Sequence, residues 1–345
     1  MKKTRTLGLL ALLAVLLAFP LLFSDPAVTT IAIFTLLYAG ATTAWNLFSG
    51  YTGYVSLGHA VFYGVGGYAL ALLCKDWNIQ GGYVPFLLLP LVGLIASVFA
   101  IPLGWIALRS SRHVFVVITI AMFYIFQLLA YNLPGITNGS AGIFLPSPPW
   151  DAGFFNTPFY YVSLTVLLLS GGVSWWVRNS KYGLGLLAIR DDEDRALSLG
   201  VKTGVYKLVA YVISAFFVGM IGALVGYFIG SLYPPFAFTP VFDITVALMA
   251  FLGGVGTLAG PLVGALLLAP LQQYLTVQLE IVGLDLILFG ALLLAVILLL
   301  PEGIVPTLRR WVKWTASRSA RTGPRTDIKG KEEALLVKGG REGKS

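Results

Sequence analysis

One cysteine in 345 residues, Cys74, leaves no partner for an internal disulfide and no cysteine cluster for a metal. Histidine is nearly as scarce. His59 and His113 are the whole supply, and no second histidine, cysteine or carboxylate stands at ligand spacing beside His59. Charge is the larger deficit: 11% of residues are charged and 57% hydrophobic, against about 25% and 45–50% in soluble domains, which excludes an ordinary soluble fold. Residues 28–74 hold no charged group, so that stretch has no carboxylate with which to couple an ion gradient. A phosphate-cradling loop is also missing. The chain ends KGGREGKS, but Lys338 occupies the first glycine position of G-x-x-x-x-G-K-[ST], and no strand or helix flanks it in the expected order. The chain therefore carries no ATP-binding motor of its own.

Long apolar windows fill the chain instead, at 7–23, 28–48, 56–74, 84–108, 113–131, 159–177, 205–230, 255–277 and 284–300. Each is long enough to cross a hydrocarbon layer of about 30 Å as a helix. The fold class is an all-α polytopic membrane protein. Lys2, Lys3 and Arg5 precede the first window, and no A-x-A site follows it, so it reads as a retained span rather than a leader. Starting inside and crossing at each window puts the Arg109/Arg112 loop and the 178–204 loop inside, as the bias of basic residues toward the cytoplasm requires. A tenth crossing at 241–254 brings the basic tail inside as well. With about ten transmembrane helices and both termini cytoplasmic, Lys75 is the one Lys or Arg left outside. The net charge of +8 is then a topology signal around the lipid bilayer and argues for no nucleic-acid partner. The predicted domains are a transmembrane domain, 1–306, and a basic, disordered cytoplasmic tail, 307–345.

Two glycine-broken stretches stand in the two halves: GYTGYVSLGHAVFYGVGGYA from Gly50 and FLGGVGTLAGPLVGA from Phe251. Irregular backbone at membrane depth is tolerated only where protein or a water-filled route covers it, and paired breaks point to a translocation path. Asn46, Gly50, Thr52, Gly53, Ser56, His59, Gly253 and Gly254 are its candidate residues. For Gly64, Gly67, Gly260 and Gly264 close helix packing is the equal alternative, and His59 reads equally as a hydrogen-bonded packing residue. Asp243, Glu280 and Asp285 fall near predicted outer boundaries and Glu302 at an inner one, as ordinary interfacial acids.

The densest internal charge is AIRDDEDRALSLGV, 188–201. Asp191 or Asp192 is a good N-cap, the acids that follow suit a helix N-terminus, and Gly200 is a stop, which predicts about two turns of helix on the cytoplasmic side. Ala196 and Leu197 leave it a small apolar patch suited to a partner's groove; a solvated helix touching nothing is the other reading of composition alone.

NLFSGYTGYVSLGHAVFYGVGGYA, the 114–143 and 180–224 segments, FLGGVGTLAGPLVGALL and LLPEGIV, in that order, resemble the permease subunits of branched-chain amino-acid ABC importers of the LivM type, over residues 28–306. The resemblance implies an all-helical permease that pairs with a second, LivH-like permease, two cytoplasmic ABC ATPases and an extracytoplasmic substrate-binding protein in the cell inner membrane. It implies alternating access, no enzymatic activity and no cofactor in this chain, with ATP and magnesium on the partner ATPase. Arg190, Asp191, Asp192, Glu193, Ala196, Leu199 and Gly200 match the family's coupling helix. Leu187 replaces its usual basic residue, and Asp194-Arg195 replaces a small or apolar pair. Urea and short-chain amide permeases are similar relatives, and an ion-coupled carrier acting without an ATPase is the alternative from another class.

Overall fold

Asp25 starts the first long buried helix. Its carboxylate accepts the Ala27 amide at 2.8 Å, and Pro26 supplies a preset φ at the first helical position. In a computed structural model, described for residues 2–23, 25–278, 290, 291, 295, 303–308, 310 and 311, the chain divides into Met1–Val305 and Pro306–Ser345. Most of the predicted span 284–300, Glu280, Asp285, Glu302 and most of the predicted tail lie outside these residues.

The principal helices are α1 (Lys2–Leu22), α2 (Pro26–Trp45), α3 (Ala60–Asp76), α4 (Leu89–Ala107), α5 (Arg112–Asn132), α6 (Asn156–Asn179), α7 (Lys181–Asp191), α8 (Glu193–Ser198), α9 (Thr203–Ile229), α10 (Pro240–Gly253) and α11 (Gly260–Gln278). Among the described residues, six stretches are long and apolar enough to cross a membrane: Pro26–Gly50, Leu89–Ala107, Arg112–Asn132, Asn156–Asn179, Thr203–Ile229 and Pro234–Gly253. The molecule is thus a multi-pass helical membrane protein. Helices α1, α3 and α11 occupy three more of the predicted windows. A two-residue pair, β1 (Ile143–Phe144) with β2 (Ser231–Leu232), ties the segment after α5 antiparallel to the turn after α9.

The centre of the bundle is α9, packed on α2, α3 and α4. Its crossing with α3 brings backbone against backbone: a Cβ on Gly222 would overlap the Tyr63 carbonyl, and one on Gly66 the Gly219 carbonyl. Lipid offers no hydrophobic drive for two apolar helices to associate, so closeness of this kind is where their van der Waals attraction comes from. The packing reading also holds for the other glycines weighed for it. Gly64 and Gly67 face the Phe238 and Leu232 side chains, Gly260 the Gly254 carbonyl and Gly264 the Met249 carbonyl.

Candidate functional site: two broken segments joined to a loop helix

The first break begins as helix α2 widens into a π-turn over Asn46–Gly50, and the chain is then non-helical from Gly53 until α3 starts at Ala60. The third helix is accordingly shorter than the window 56–74 predicted. Every stranded polar group needs a partner at such depth, and side chains supply them. Trp45 Nε1 donates to the Ser56 carbonyl at 2.8 Å, Ser49 Oγ accepts the Ser56 amide at 3.2 Å, and Thr119 Oγ1 accepts the Leu57 amide at 3.2 Å. Thr52 Oγ1 donates to the Phe48 carbonyl at 2.8 Å and accepts the Tyr54 amide at 3.2 Å. His59 bridges Ser56 Oγ at 2.9 Å and Ser214 Oγ on α9 at 2.8 Å. Asn46, Thr52, Ser56 and His59 are all buried, with their polar atoms committed to protein.

The second break follows α10, where Gly254 and Gly256 take positive φ of 115° and 78°, conformations that a side chain disfavours. Thr257 closes the turn: its hydroxyl donates to the Gly254 carbonyl at 2.8 Å and accepts the Gly260 amide at 2.9 Å. The two breaks meet at Asn46. Its carboxamide oxygen accepts the Gly256 amide at 2.7 Å and its Nδ2 donates to the Thr257 carbonyl at 3.0 Å, across 210 and 211 residues of sequence. Gly50 and Gly253 are buried at the same junction, while Gly53, at φ 75°, is half-buried.

Asp243 departs from the expectation of an acid at an outer boundary. It is 1% exposed, on the first turn of α10, and both carboxylate oxygens accept the Ala60 amide at 3.2 Å. The N-cap of α3 is His59, whose side chain makes no capping bond. The carboxyl group from the second half of the chain thus supplies the acceptor that the start of a helix in the first half lacks.

The 178–204 loop folds into α7 and α8. Asp192 is the N-cap of α8: its Oδ1 accepts the Arg195 amide at 3.0 Å while Oδ2 pairs with Arg195 Nε at 2.9 Å. The helix breaks at Gly200, at φ 86°, as its position predicts. Helix α7 was not foreseen. Nor were the faces of α8: Ala196 is 1% exposed and packs inward, so the outward apolar pair is Leu197 and Leu199, at 59% and 83%. Asp191, Asp194 and Gly200 are exposed. Arg190 turns inward, its Nη1 donating to the Gly50 carbonyl at 2.9 Å, and a Cβ on Gly256 would overlap it. Arg112 Nη2 donates to the Ile189 carbonyl at 2.6 Å and the Arg190 carbonyl at 3.1 Å. Arg178 lies 5.2 Å from the centre of the Tyr51 ring. A stretch with no charge of its own is thus approached by three guanidinium groups from other parts of the chain.

Glu193 also points inward. Tyr54 Oη donates to its Oε2 at 2.6 Å, and Lys207 Nζ pairs with its Oε1 at 2.6 Å. Lys207 and Tyr54 escaped sequence reasoning, although Lys207 is the sole charge among the 27 residues of α9, a signal that was available. Burial raises the Glu193 pKa, but the hydrogen bonds from Lys207 and Tyr54 and the lysine charge outweigh it and hold the group below the ordinary value of 4.5. A folded pKa below the unfolded one stabilises the fold in full above pH 4.5, and that contribution is lost as pH falls from there through the folded value. Acid scans of thermal midpoint should therefore drop more steeply below pH 4.5 for the unchanged protein than for Glu193→Gln; parallel curves would remove the ion pair from the account.

A multi-pass helical bundle with two broken segments clasped to each other, and to one loop helix, defines a membrane permease core. Comparison with known proteins agrees: residues 27–297 match the family described as branched-chain amino acid transport system / permease component, and the chain belongs to that family. It is 28% identical over 333 residues to the high-affinity branched-chain amino acid transport system permease protein LivM of Salmonella typhimurium, covering 89% of this chain and 76% of the relative. The LivM of Escherichia coli K12 is similar to the same extent. The LivH permease of Salmonella typhimurium is 25% identical over 284 residues, 78% of this chain and 91% of its own. No solved structure matches the chain.

Proposed function

We propose that this chain is the membrane permease subunit of an ATP-driven importer for branched-chain or other hydrophobic amino acids, in the cell inner membrane. It crosses about ten times with both termini cytoplasmic and pairs with a LivH-like permease, two ABC ATPases and an extracytoplasmic binding protein. ATP and magnesium belong to the ATPases, and this chain is a transport subunit with no cofactor. Family membership supports the permease role. The structural observation that carries the ATPase partnership is the outward face of α8, where a capped polar helix presents Leu197 and Leu199 to solvent. Two large exposed apolar side chains on such a helix fit the groove of a second protein. Helix α8, with Arg190, Asp191 and Gly200 at its flanks, is the coupling element. The paired breaks, from Asn46, Gly50, Thr52, Gly53, Ser56 and His59 to Gly253 and Gly254, border the path and shift as it alternates between its two openings.

The test is leucine uptake into vesicles holding this chain with its four proposed partners. Leu199→Asp should insert normally yet cut ATP-dependent uptake and ATPase co-purification about tenfold, the scale of one lost apolar anchor of over 1 kcal/mol. Uptake of urea or short amides in place of leucine would favour the amide-permease reading. Leucine uptake by the chain alone under an ion gradient would replace the whole proposal with a secondary carrier.

A further inference from the structure

Glu193 is the first residue of α8, yet it contributes nothing to that helix's outward face. Its carboxylate closes a triangle of hydrogen bonds. Tyr54 Oη donates to Glu193 Oε2 at 2.6 Å, Lys207 Nζ donates to Glu193 Oε1 at 2.6 Å, and Lys207 Nζ donates to Tyr54 Oη at 3.1 Å. The third lysine proton goes to the Leu108 carbonyl at the end of α4, at 3.3 Å, and the ammonium stands 4.2 Å from the centre of the Tyr54 ring. All three donors of the lysine are spent. The Lys207 side chain is 4% exposed and that of Glu193 25%.

These partners come from three elements: the loop helix, the first broken segment and the base of the central helix α9. Arg190 runs parallel to the triangle, from the end of α7 to the Gly50 carbonyl. A displacement of α8 must therefore drag residues 50–54 and the foot of α9, or first break a part-buried ion pair. Such pairs add little net stability, because desolvation offsets their attraction, but removing one partner is costly. They resist separation while contributing little to overall folding, which suits a mechanical connection.

On the reading of the chain as an ATPase-driven permease, we propose that Tyr54, Glu193 and Lys207 form a strut that carries movement of the loop helix into the first broken segment. These are positioning residues: they determine how much substrate moves per ATP hydrolysed, and Leu197 and Leu199 determine whether the ATPase docks.

The complete assembly in vesicles, supplied with ATP and leucine, tests this with Tyr54→Phe, Glu193→Gln and the double variant Glu193→Gln with Lys207→Met. Tyr54→Phe keeps the ring and deletes one hydroxyl, so it tests the strut even where the charge variants fail to fold. The expected result is unchanged ATPase co-purification and sustained ATP hydrolysis, with leucine imported per ATP reduced about tenfold, on the scale of one hydrogen bond to a charged group. Neutralising both ends should be milder than Glu193→Gln alone, since it leaves no lysine charge unpaired. Unchanged leucine per ATP in Tyr54→Phe overturns the strut. So does a parallel fall of assembly, hydrolysis and uptake, which a merely structural anchor would produce. A wild-type assembly that imports nothing under ATP instead fails the functional reading, and the strut falls with it.

Discussion

Alanine at Gly222 should lower the thermal midpoint of the detergent-purified protein, while alanine at Gly171 should leave it level or raise it. Both glycines lie inside long helices, α9 and α6. In a helix interior alanine is favoured over glycine by about 0.5–1 kcal/mol, because it loses less backbone entropy. Around Gly171 nothing lies within 4 Å of the position a Cβ would take, so that gain is uncontested. At Gly222 the new methyl would overlap the Tyr63 carbonyl, which belongs to the rigid backbone of α3 and has no rotamer to change. The helices must part, and overpacking of this kind costs about 1–3 kcal/mol, more than alanine's intrinsic gain. Separation would be felt beyond the crossing, because Ser214 of the same helix holds His59 at 2.8 Å. Leucine uptake should therefore fall along with stability in Gly222→Ala. Equal midpoints for the two variants would show that the α3–α9 crossing is looser than the backbone contact implies.

Long apolar windows and glycine breaks are visible in the sequence because they are local patterns. So is the cap of α8: an aspartate followed by acids, good helix formers and a glycine specifies where a short helix starts and stops. What the pattern does not carry is the phase of that helix. In six residues an inward and an outward face differ by half a turn, about two residues, and four consecutive acids at 191–194 offer the same charge to either. Burial of Ala196 and capture of Glu193 by Tyr54, 139 residues away in sequence, decide the matter, and both are tertiary facts. The sequence places Asp243 at a boundary for a related reason. Its partner, the Ala60 amide, lies 183 residues upstream, and the need for it arises because the residue before α3 is a histidine that does not cap. Once Glu193 is seen to face inward and Asp192 to cap, the acidic start of the loop helix has an account that composition alone could not supply.

The second large effect is expected at Asn46, where one side chain joins the two halves. Substitution by leucine, which has the same heavy-atom branching but is bulkier and unable to hydrogen-bond, leaves the Gly256 amide and the Thr257 carbonyl without the partners they have at 2.7 and 3.0 Å. A buried polar group stripped of its partner costs about 1–3 kcal/mol, so two of them would cost several-fold more than a typical surface change. Asn46→Asp separates the two bonds. It keeps the shape and the acceptor facing the Gly256 amide, loses the donor to Thr257, and places a negative charge close to Arg190, whose Nη1 reaches the adjoining Gly50 carbonyl at 2.9 Å. The order of leucine uptake in the full assembly should be wild type, then Asn46→Asp, then Asn46→Leu, the last reduced more than about tenfold, as a loss above 1.4 kcal/mol requires. Thermal midpoint should follow the same order, because the clasp holds α2 against the turn between α10 and α11. If Asn46→Leu instead kept full uptake with a lowered midpoint, the meeting of the two breaks would be a fastening alone, and the moving boundary of the path would have to be sought at His59 and Ser214, on the other side of the first break.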